Sequence, residues 1–367
     1  MKKLLIMFLT LSIVFLTSYV FLTIRNDWDW DSNLVTFFSF LMGAIGALIG
    51  FFPFFSKKYP KAFNVAIIGF PKTGKTTLLT ILLNEILINK IRNCHATIKG
   101  ESTIEKLHDN MKKLRNGEPV GATTDETKFA YRTNITVGHT LFDRKEYKIE
   151  FGDFPGECSS ELSTTSSSWL KDTSFFNWAI EADAYLFVID VSICFIPDEY
   201  FPYSFNDIIT GYISAWQHII DNRTDNIDKI RQNPLLLVFT KSDILDYSVD
   251  NYYHHHYEIF KEENRNLRIE SIKNRNYLLN EILQYSGITI DCSHIHKNLI
   301  TESNKCLNKD YMEKLCNVVE SDFKDLISFF RNENKKTKLV YTSAFFNDEK
   351  SSKYGINDLF SNIIPSV

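Results

Sequence analysis

The strongest chemical motif in the sequence is a glycine-rich loop that ends in lysine and threonine. Residues Gly69–Thr76 fit the pattern G-x-x-x-x-G-K-[ST]. The two glycines let the backbone curl so that its amides point at phosphate, beside the positive end of a following helix. Here Lys75 would supply positive charge to the β- and γ-phosphates, the Thr76 hydroxyl would bind magnesium, and Thr77 could add a donor to the α-phosphate. The candidate phosphate-binding residues are Gly69, Phe70, Pro71, Lys72, Thr73, Gly74, Lys75, Thr76 and Thr77.

The residues on either side of this loop predict the strand and the helix that must position it. Asn64–Ile68 is a β-branched and apolar run of the kind that forms a buried parallel strand. Leucines and isoleucines then recur at helical spacing from Thr77 to Ile91. A glycine turn before an ordinary helix is the alternative, but the strand–loop–helix context favours a nucleotide site.

A second motif begins at the end of another predicted strand. The run Tyr147–Gly152 is followed by Asp153-Phe154-Pro155-Gly156, which fits the pattern D-x-x-G. At such a strand end Asp153 would hold magnesium, usually through water, and the Gly156 amide would reach the γ-phosphate. The pattern is common by itself, and its position after the phosphate loop gives it weight.

A third motif could select the base of the nucleotide. The buried-strand run Pro234–Phe239 closes in Thr240-Lys241-Ser242-Asp243, which resembles the guanine-recognition pattern [NT]-K-x-D. A carboxylate such as Asp243 can accept two hydrogen bonds from the N1 and N2 hydrogens of guanine, which adenine cannot offer, while the Lys241 stem covers the ring. The alternative is a surface turn built from common residues.

A last short element completes a family resemblance. Lys338–Tyr341 leads into Thr342-Ser343-Ala344, similar to the S-A element whose backbone amide meets the guanine O6. With it, roughly residues 62–365 resemble a GTPase of the translation-factor-related class, with the first, third, fourth and fifth motifs in order. The resemblance implies GTP and GDP as ligands, Mg2+ as cofactor, and GTP hydrolysis as a molecular switch. The implied base-binding residues are Thr240, Lys241, Asp243, Ser343 and Ala344.

Two positions fit the resemblance less well. Small GTPases of this class often carry glutamine after the D-x-x-G glycine, where this chain has Glu157. A carboxylate there could accept a proton from water but also brings negative charge toward phosphate, so we expect slow or partner-dependent hydrolysis with Lys75, Gly156 and Glu157 as catalytic candidates. For the magnesium-binding threonine of the first switch we choose Thr124, with Thr123 and an ordinary polar loop as alternatives.

The predicted strands alternate with helices, which indicates a doubly wound, mostly parallel α/β sheet with nucleotide at the carboxyl ends of the strands. Phe129–Val137 and Tyr147–Phe151 predict one antiparallel edge, and Ser102–Leu114 predicts an added helix. Within a GTPase domain at 62–367, helical patterning at about 245–335 predicts an insertion. Together with the switch regions, this insertion is the expected surface for a second copy or a protein partner.

Two apolar runs precede this domain. Leu4–Ile24 and Leu34–Phe55 are each long enough to cross a hydrocarbon core of roughly 30 Å. Lysines lie before the first run and in a basic linker at 56–61, which would place both termini and the domain in the cytoplasm. The sequence thus predicts a two-helix transmembrane hairpin at 1–55, with spans at about 4–24 and 34–55, a lipid bilayer as partner and an integral membrane location. A cleaved signal peptide is the alternative for the first run.

Composition narrows the remaining functions. A formal net charge of -4 gives no global attraction to nucleic acid. The six cysteines form no Cys-x-x-Cys motif, and the run His254–His256 is interpreted as an exposed polar stretch rather than a metal site. Three hypotheses stay open: a GTPase switch, a GTP-dependent membrane scaffold or receptor subunit with negligible hydrolysis, and an ATP-using membrane NTPase, for which the Thr240–Asp243 match would be accidental.

Overall fold

The computed structural model describes residues 61–91, 94–98, 101–120, 129–138, 145–153, 179–201, 203–223, 230–246, 249–264, 266–267, 270, 306–307, 309–348 and 352–364. Contacts between residues divide the chain after Tyr59, and all of the described residues belong to the second unit, Pro60–Val367.

A seven-stranded mixed sheet forms the centre of this unit. In chain order its strands are β1 (Lys61–Ile68), β2 (Cys94–Ile98), β3 (Phe129–Val137), β4 (Lys145–Asp153), β5 (Ala184–Asp190), β6 (Leu235–Thr240) and β7 (Lys338–Tyr341). Their order across the sheet is β2-β3-β4-β1-β5-β6-β7. Strands β4, β1, β5, β6 and β7 run parallel, whereas β3 pairs antiparallel with both β2 and β4. The antiparallel edge is thus one strand wider than the sequence predicted.

Helices surround the sheet. In chain order they are α1 (Lys75–Leu87), α2 (Glu101–Arg115), α3 (Phe205–Asn222), α4 (Asp250–Tyr253), α5 (Lys309–Asp322), α6 (Lys324–Glu333) and α7 (Ile356–Ile363). Helix α2 matches the predicted added helix. Helix α3 begins at a capping box, in which the Ser204 hydroxyl accepts from the Asp207 amide and the Asp207 carboxylate accepts from the Ser204 amide. This cap fixes the start of the helix that packs behind the phosphate loop.

The core is centred on β5 and β6. Both strands are buried along their whole length, as expected for apolar runs at the middle of a parallel sheet. On one face Trp216 of α3 meets Tyr185 edge-on at 5.4 Å between ring centroids, and Phe187 lies 4.7 Å from Phe330 of α6. These aromatic contacts join the sheet to two helices.

The predicted transmembrane hairpin and integral membrane location require correction. Among the described residues, no helix is both long and apolar enough to cross a membrane. The longest of these helices, α3 with 18 residues, carries Asp207 and Asp221 and buries its apolar face within the domain. The predicted spans at about 4–24 and 34–55 lie outside the described residues. The described part of the chain therefore supports the α/β sheet of the prediction and not the transmembrane hairpin or the integral membrane location.

Candidate functional site

The glycine-rich loop lies between β1 and α1, at the carboxyl edge of the sheet. Gly74, just before α1, has a φ of 86°, a left-handed conformation that favours glycine. A Cβ on Gly69 would lie 2.8 Å from the Val188 carbonyl oxygen, so only glycine lets the loop pass this close to β5. Both glycines are therefore required by the path of the loop.

Lys75 lies inside the curl of this loop. Its ammonium group donates to the carbonyl oxygens of Gly69 at 2.7 Å and Phe70 at 2.8 Å, and the residue is 6% exposed. The Thr73 hydroxyl also donates to the Phe70 oxygen at 2.8 Å. The loop thus holds a buried cation at its centre, as a phosphate-binding loop must.

Asp153 of the D-x-x-G motif ends β4 next to this loop. The parallel register of β1 and β4 sets Asp153 opposite Ile67, two residues before Gly69. Thr76, the second residue of α1, is half-buried. The backbone thus brings these two predicted magnesium ligands to one edge of the sheet, whereas Thr124, Gly156 and Glu157 lie outside the described residues.

The Thr240–Asp243 motif is tied to the phosphate loop by two side chains. The Thr240 hydroxyl donates to the Thr73 carbonyl oxygen at 2.6 Å and also contacts the Ile189 oxygen at 3.2 Å. The Lys241 ammonium group donates to the Lys72 carbonyl oxygen at 2.9 Å. The two motifs, far apart in sequence, are therefore joined directly by hydrogen bonds.

Asp243 is completely buried and meets the last motif directly. One carboxylate oxygen accepts from the Ser343 hydroxyl at 2.7 Å, and the other accepts from the Tyr253 hydroxyl at 2.7 Å. Burial raises the pKa of Asp243, and the hydrogen bonds from Ser343 and Tyr253 oppose that rise. The Ser343 hydroxyl oxygen is fixed in turn by the Phe346 amide at 3.1 Å. The pairing of Asp243 with Ser343 follows from the parallel contact of β6 and β7.

The loop that carries Ser343 and half-buried Ala344 is held by the start of α7. The Ser343 amide donates to the Tyr354 carbonyl oxygen at 3.2 Å. Gly355 has a φ of 75°, and a Cβ there would lie only 1.8 Å from the Tyr341 oxygen. A glycine at this position is what lets α7 begin so close to the end of β7.

A buried polar cluster beside Lys241 was not predicted from the sequence. The Asp190 carboxylate, at the end of β5, forms an ion pair with Lys241, in which the two side chains are 8% and 9% exposed. It also accepts hydrogen bonds from the Tyr257 hydroxyl and from the Ser192 amide, the latter at 2.9 Å. Burial and the Asp190 charge raise the pKa of Tyr257 well above its usual range. The sequence feature that could have indicated this cluster is the position of Asp190, because it ends a strand at the same edge of the sheet.

Comparison with known proteins agrees with this geometry. A search of curated proteins finds no match. A family model described as Double-GTPase 2 matches residues 64–282, which is more than half of the chain and includes the phosphate loop, Asp153 and the Thr240–Asp243 motif. The chain therefore belongs to the Double-GTPase 2 family and carries a P-loop GTPase domain.

Proposed function

We propose that this site binds GTP and GDP together with Mg2+, and that the domain hydrolyses GTP as a molecular switch. The observation that supports this most strongly is the buried Asp243–Ser343 pair, held against the phosphate loop through Thr240. An ionised carboxylate in this place can accept the N1 and N2 hydrogens of guanine, whereas adenine presents no such pair of donors. The pair therefore favours guanine over adenine.

The phosphate end of the nucleotide would lie on the loop before α1. The amides of Gly69–Thr76 and the ammonium group of Lys75 are the donors that we assign to the phosphates. Lys75 donates to two loop carbonyls, which holds its ammonium group inside the loop where the phosphates would lie. Part of the entropic cost of ordering the site would then already be included in folding, and nucleotide binding would not have to supply it.

The residues at this edge fit a magnesium ion in their chemistry. Thr76 supplies a hydroxyl and Asp153 a carboxylate, and oxygen ligands of this type suit Mg2+. Thr124 is the further ligand that we propose from the sequence. When bound, the ion would neutralise charge on the β- and γ-phosphate oxygens.

Hydrolysis would proceed by attack of water on the γ-phosphorus, with cleavage of the bond to the β–γ bridging oxygen and release of GDP and phosphate. Gly156 and Glu157 are our candidates for contacting the γ-phosphate and the attacking water. Because Glu157 carries negative charge, we expect slow turnover unless a partner contributes a cation. The helical region within about 245–335 and the switch segments are the surfaces that we propose for such a partner or a second copy.

The test is nucleotide binding and turnover by the full-length protein with GTP and ATP in parallel, alongside Lys75→Ala and Asp243→Ala variants. We expect GTP to bind in preference to ATP, Lys75→Ala to weaken both, and Asp243→Ala to remove the preference. Equal binding of ATP and GTP by the unmodified protein would refute guanine recognition. Selective GTP binding without turnover would instead indicate a GTP-dependent binding protein.

A further inference from the structure

The segment after β6, residues 250–260, brings two tyrosines into contact with residues proposed to hold the nucleotide. Tyr253 ends α4 and donates its hydroxyl to Asp243. Four residues later, the Tyr257 hydroxyl accepts from the Lys241 ammonium group at 2.8 Å. Two of the residues proposed to contact the base are therefore already engaged by this segment.

The hydrogen bond from Tyr253 to Asp243 occupies the position that the proposed base would need. Guanine needs both oxygens of the carboxylate, because its N1 and N2 hydrogens lie side by side. Ser343 approaches one oxygen and Tyr253 the other, each at 2.7 Å. Asp243 is 0% exposed and Tyr253 only 2% exposed, so solvent has no path to the carboxylate in this conformation. A base can therefore reach Asp243 only after Tyr253 has moved.

Tyr253 is held in place by its neighbours. Its ring lies 5.6 Å from that of Phe260 and 6.2 Å, edge-on, from that of Phe345. The adjacent Tyr252 packs edge-on against Phe345 at 4.6 Å. Since Phe345 follows the Ser343–Ala344 element by one residue, α4 is anchored on the loop expected to meet the guanine O6. The segment that covers the site thus packs against the site itself.

The chemistry of the Tyr253 hydroxyl imitates that of the base. The hydroxyl is a neutral hydrogen-bond donor to a carboxylate, and the N1–H group of guanine would be a neutral donor to the same carboxylate. Without any partner, a buried carboxylate oxygen would lose its hydration and gain nothing in return. The tyrosine therefore stabilises the buried carboxylate by filling a place that guanine would otherwise take.

We infer that Tyr253 is an internal competitor for guanine, an inference that rests on the proposed function: nucleotide enters the base pocket only when α4 withdraws Tyr253 from Asp243. Tyr253 then sets guanine affinity without contacting the nucleotide. Its hydroxyl weakens binding, because each binding event must break one buried hydrogen bond.

The first test is the affinity of full-length protein for GDP, measured by calorimetry, with Tyr253→Phe. This variant keeps the ring and its packing but removes the competing donor, so we expect GDP to bind about tenfold more tightly. Tyr311→Phe is the matched control, because it removes another buried hydroxyl, which donates at 2.9 Å to the carbonyl oxygen of Ser242, beside but not on the Asp243 carboxylate. GDP affinity should be unchanged in this control.

The second test uses the unmodified chain and does not depend on any variant folding. Backbone amides of His254 and Tyr257 donate within the segment, to the carbonyl oxygens of Asp250 and Tyr253, each at 2.9 Å. If α4 withdraws, added GDP should speed hydrogen exchange of these two amides, although ligands usually slow exchange. Slower or unchanged exchange of both amides with GDP bound would overturn the inference.

The outcomes separate this inference from the proposed function. GDP binding by the unmodified protein with equal or weaker binding by Tyr253→Phe would overturn the competitor role and leave guanine binding intact. Binding of GDP only by Tyr253→Phe would support both. Failure of both folded proteins to bind GDP or GTP would overturn both.

Discussion

The replacement Asp243→Asn tests base recognition with little change in shape. Ser343 and Tyr253 both donate to the carboxylate at 2.7 Å. In the variant, the amide oxygen can still accept one of these hydroxyls, and the amide N–H can donate to the oxygen of the other. Because the replacement also removes a charge that burial disfavours, we expect the free energy of unfolding to change by only about 1 kcal/mol.

The effect on guanine should be far larger. Guanine would lose one charge-assisted hydrogen bond, worth about 1.5–3 kcal/mol, and one of its N–H groups would face the N–H of the amide, which costs about 1–3 kcal/mol more. The sum corresponds to a loss of affinity of roughly 100-fold to 10,000-fold. Xanthine carries an oxygen where guanine has the N2 amino group, so the same amide N–H would gain an acceptor. Base preference should therefore move from guanine to xanthine.

The assay is displacement of a fluorescent nucleotide by GDP, xanthosine diphosphate and ADP, for the unmodified protein and for Asp243→Asn. Asp246→Asn is the matched control, since it makes the same change three residues along the chain and should leave base preference unchanged. If Asp243→Asn binds GDP as tightly as the unmodified protein, Asp243 does not contact the base. If it loses GDP without gaining xanthosine diphosphate, the buried carboxylate has a structural role only.

Three further results are expected. Gly69→Ala should weaken GDP binding at least about tenfold in calorimetry while circular dichroism stays unchanged, because the new Cβ would lie 2.8 Å from the Val188 oxygen and push the loop out of shape. Gly355→Ala should lower the free energy of unfolding in urea by about 3 kcal/mol or more, since its Cβ would overlap the Tyr341 oxygen at 1.8 Å. Burial lowers the pKa of His256 to about 4. In the unfolded chain a histidine has a pKa near 6.5, so the unfolded chain binds more protons than the folded one between these two pH values. The free energy of unfolding should therefore fall by up to about 3 kcal/mol as pH drops from 6.5 to 4. In urea titrations at several pH values, His256→Gln should reduce that slope, and an unchanged slope would refute the assignment to His256.

The placement of the predicted motifs at one edge of the sheet was predictable because each combines a local pattern with the end of a strand. Residues at the carboxyl ends of parallel strands meet at one edge of a sheet, so Thr240 and the phosphate loop could be expected together. The same rule joins Asp243 to Ser343 across a sequence separation of 100 residues. In these cases a few residue types and the order of the strands were sufficient.

The contacts of the segment after β6 could not be predicted in this way. Tyr253 ends a helix of four residues and Tyr257 precedes a 3-10 helix of three residues, and neither helix is long enough to show an apolar period that would indicate which buried groups the tyrosines meet. The histidine run was interpreted as exposed, yet His256 is half-buried beside the Lys241 charge. Strand β2 was missed because Cys94–Ile98 is only five residues long and mixes polar with apolar side chains. Each of these depends on how separate segments pack against one another in the folded chain.

The hydrogen bond from Thr240 to the Thr73 carbonyl gives the site a mechanical link between its two ends. If the site binds nucleotide as proposed, a base that fits poorly against Asp243 would shift the end of β6, and Thr240 would carry that shift to the loop proposed to hold the phosphates. The wrong nucleotide would then bind with lower affinity, and its terminal phosphate would also be less well aligned for attack by water. The ratio of the GTP and ATP values should accordingly be larger for kcat/KM than for Kd, because the chemical step would discriminate between the nucleotides in addition to binding.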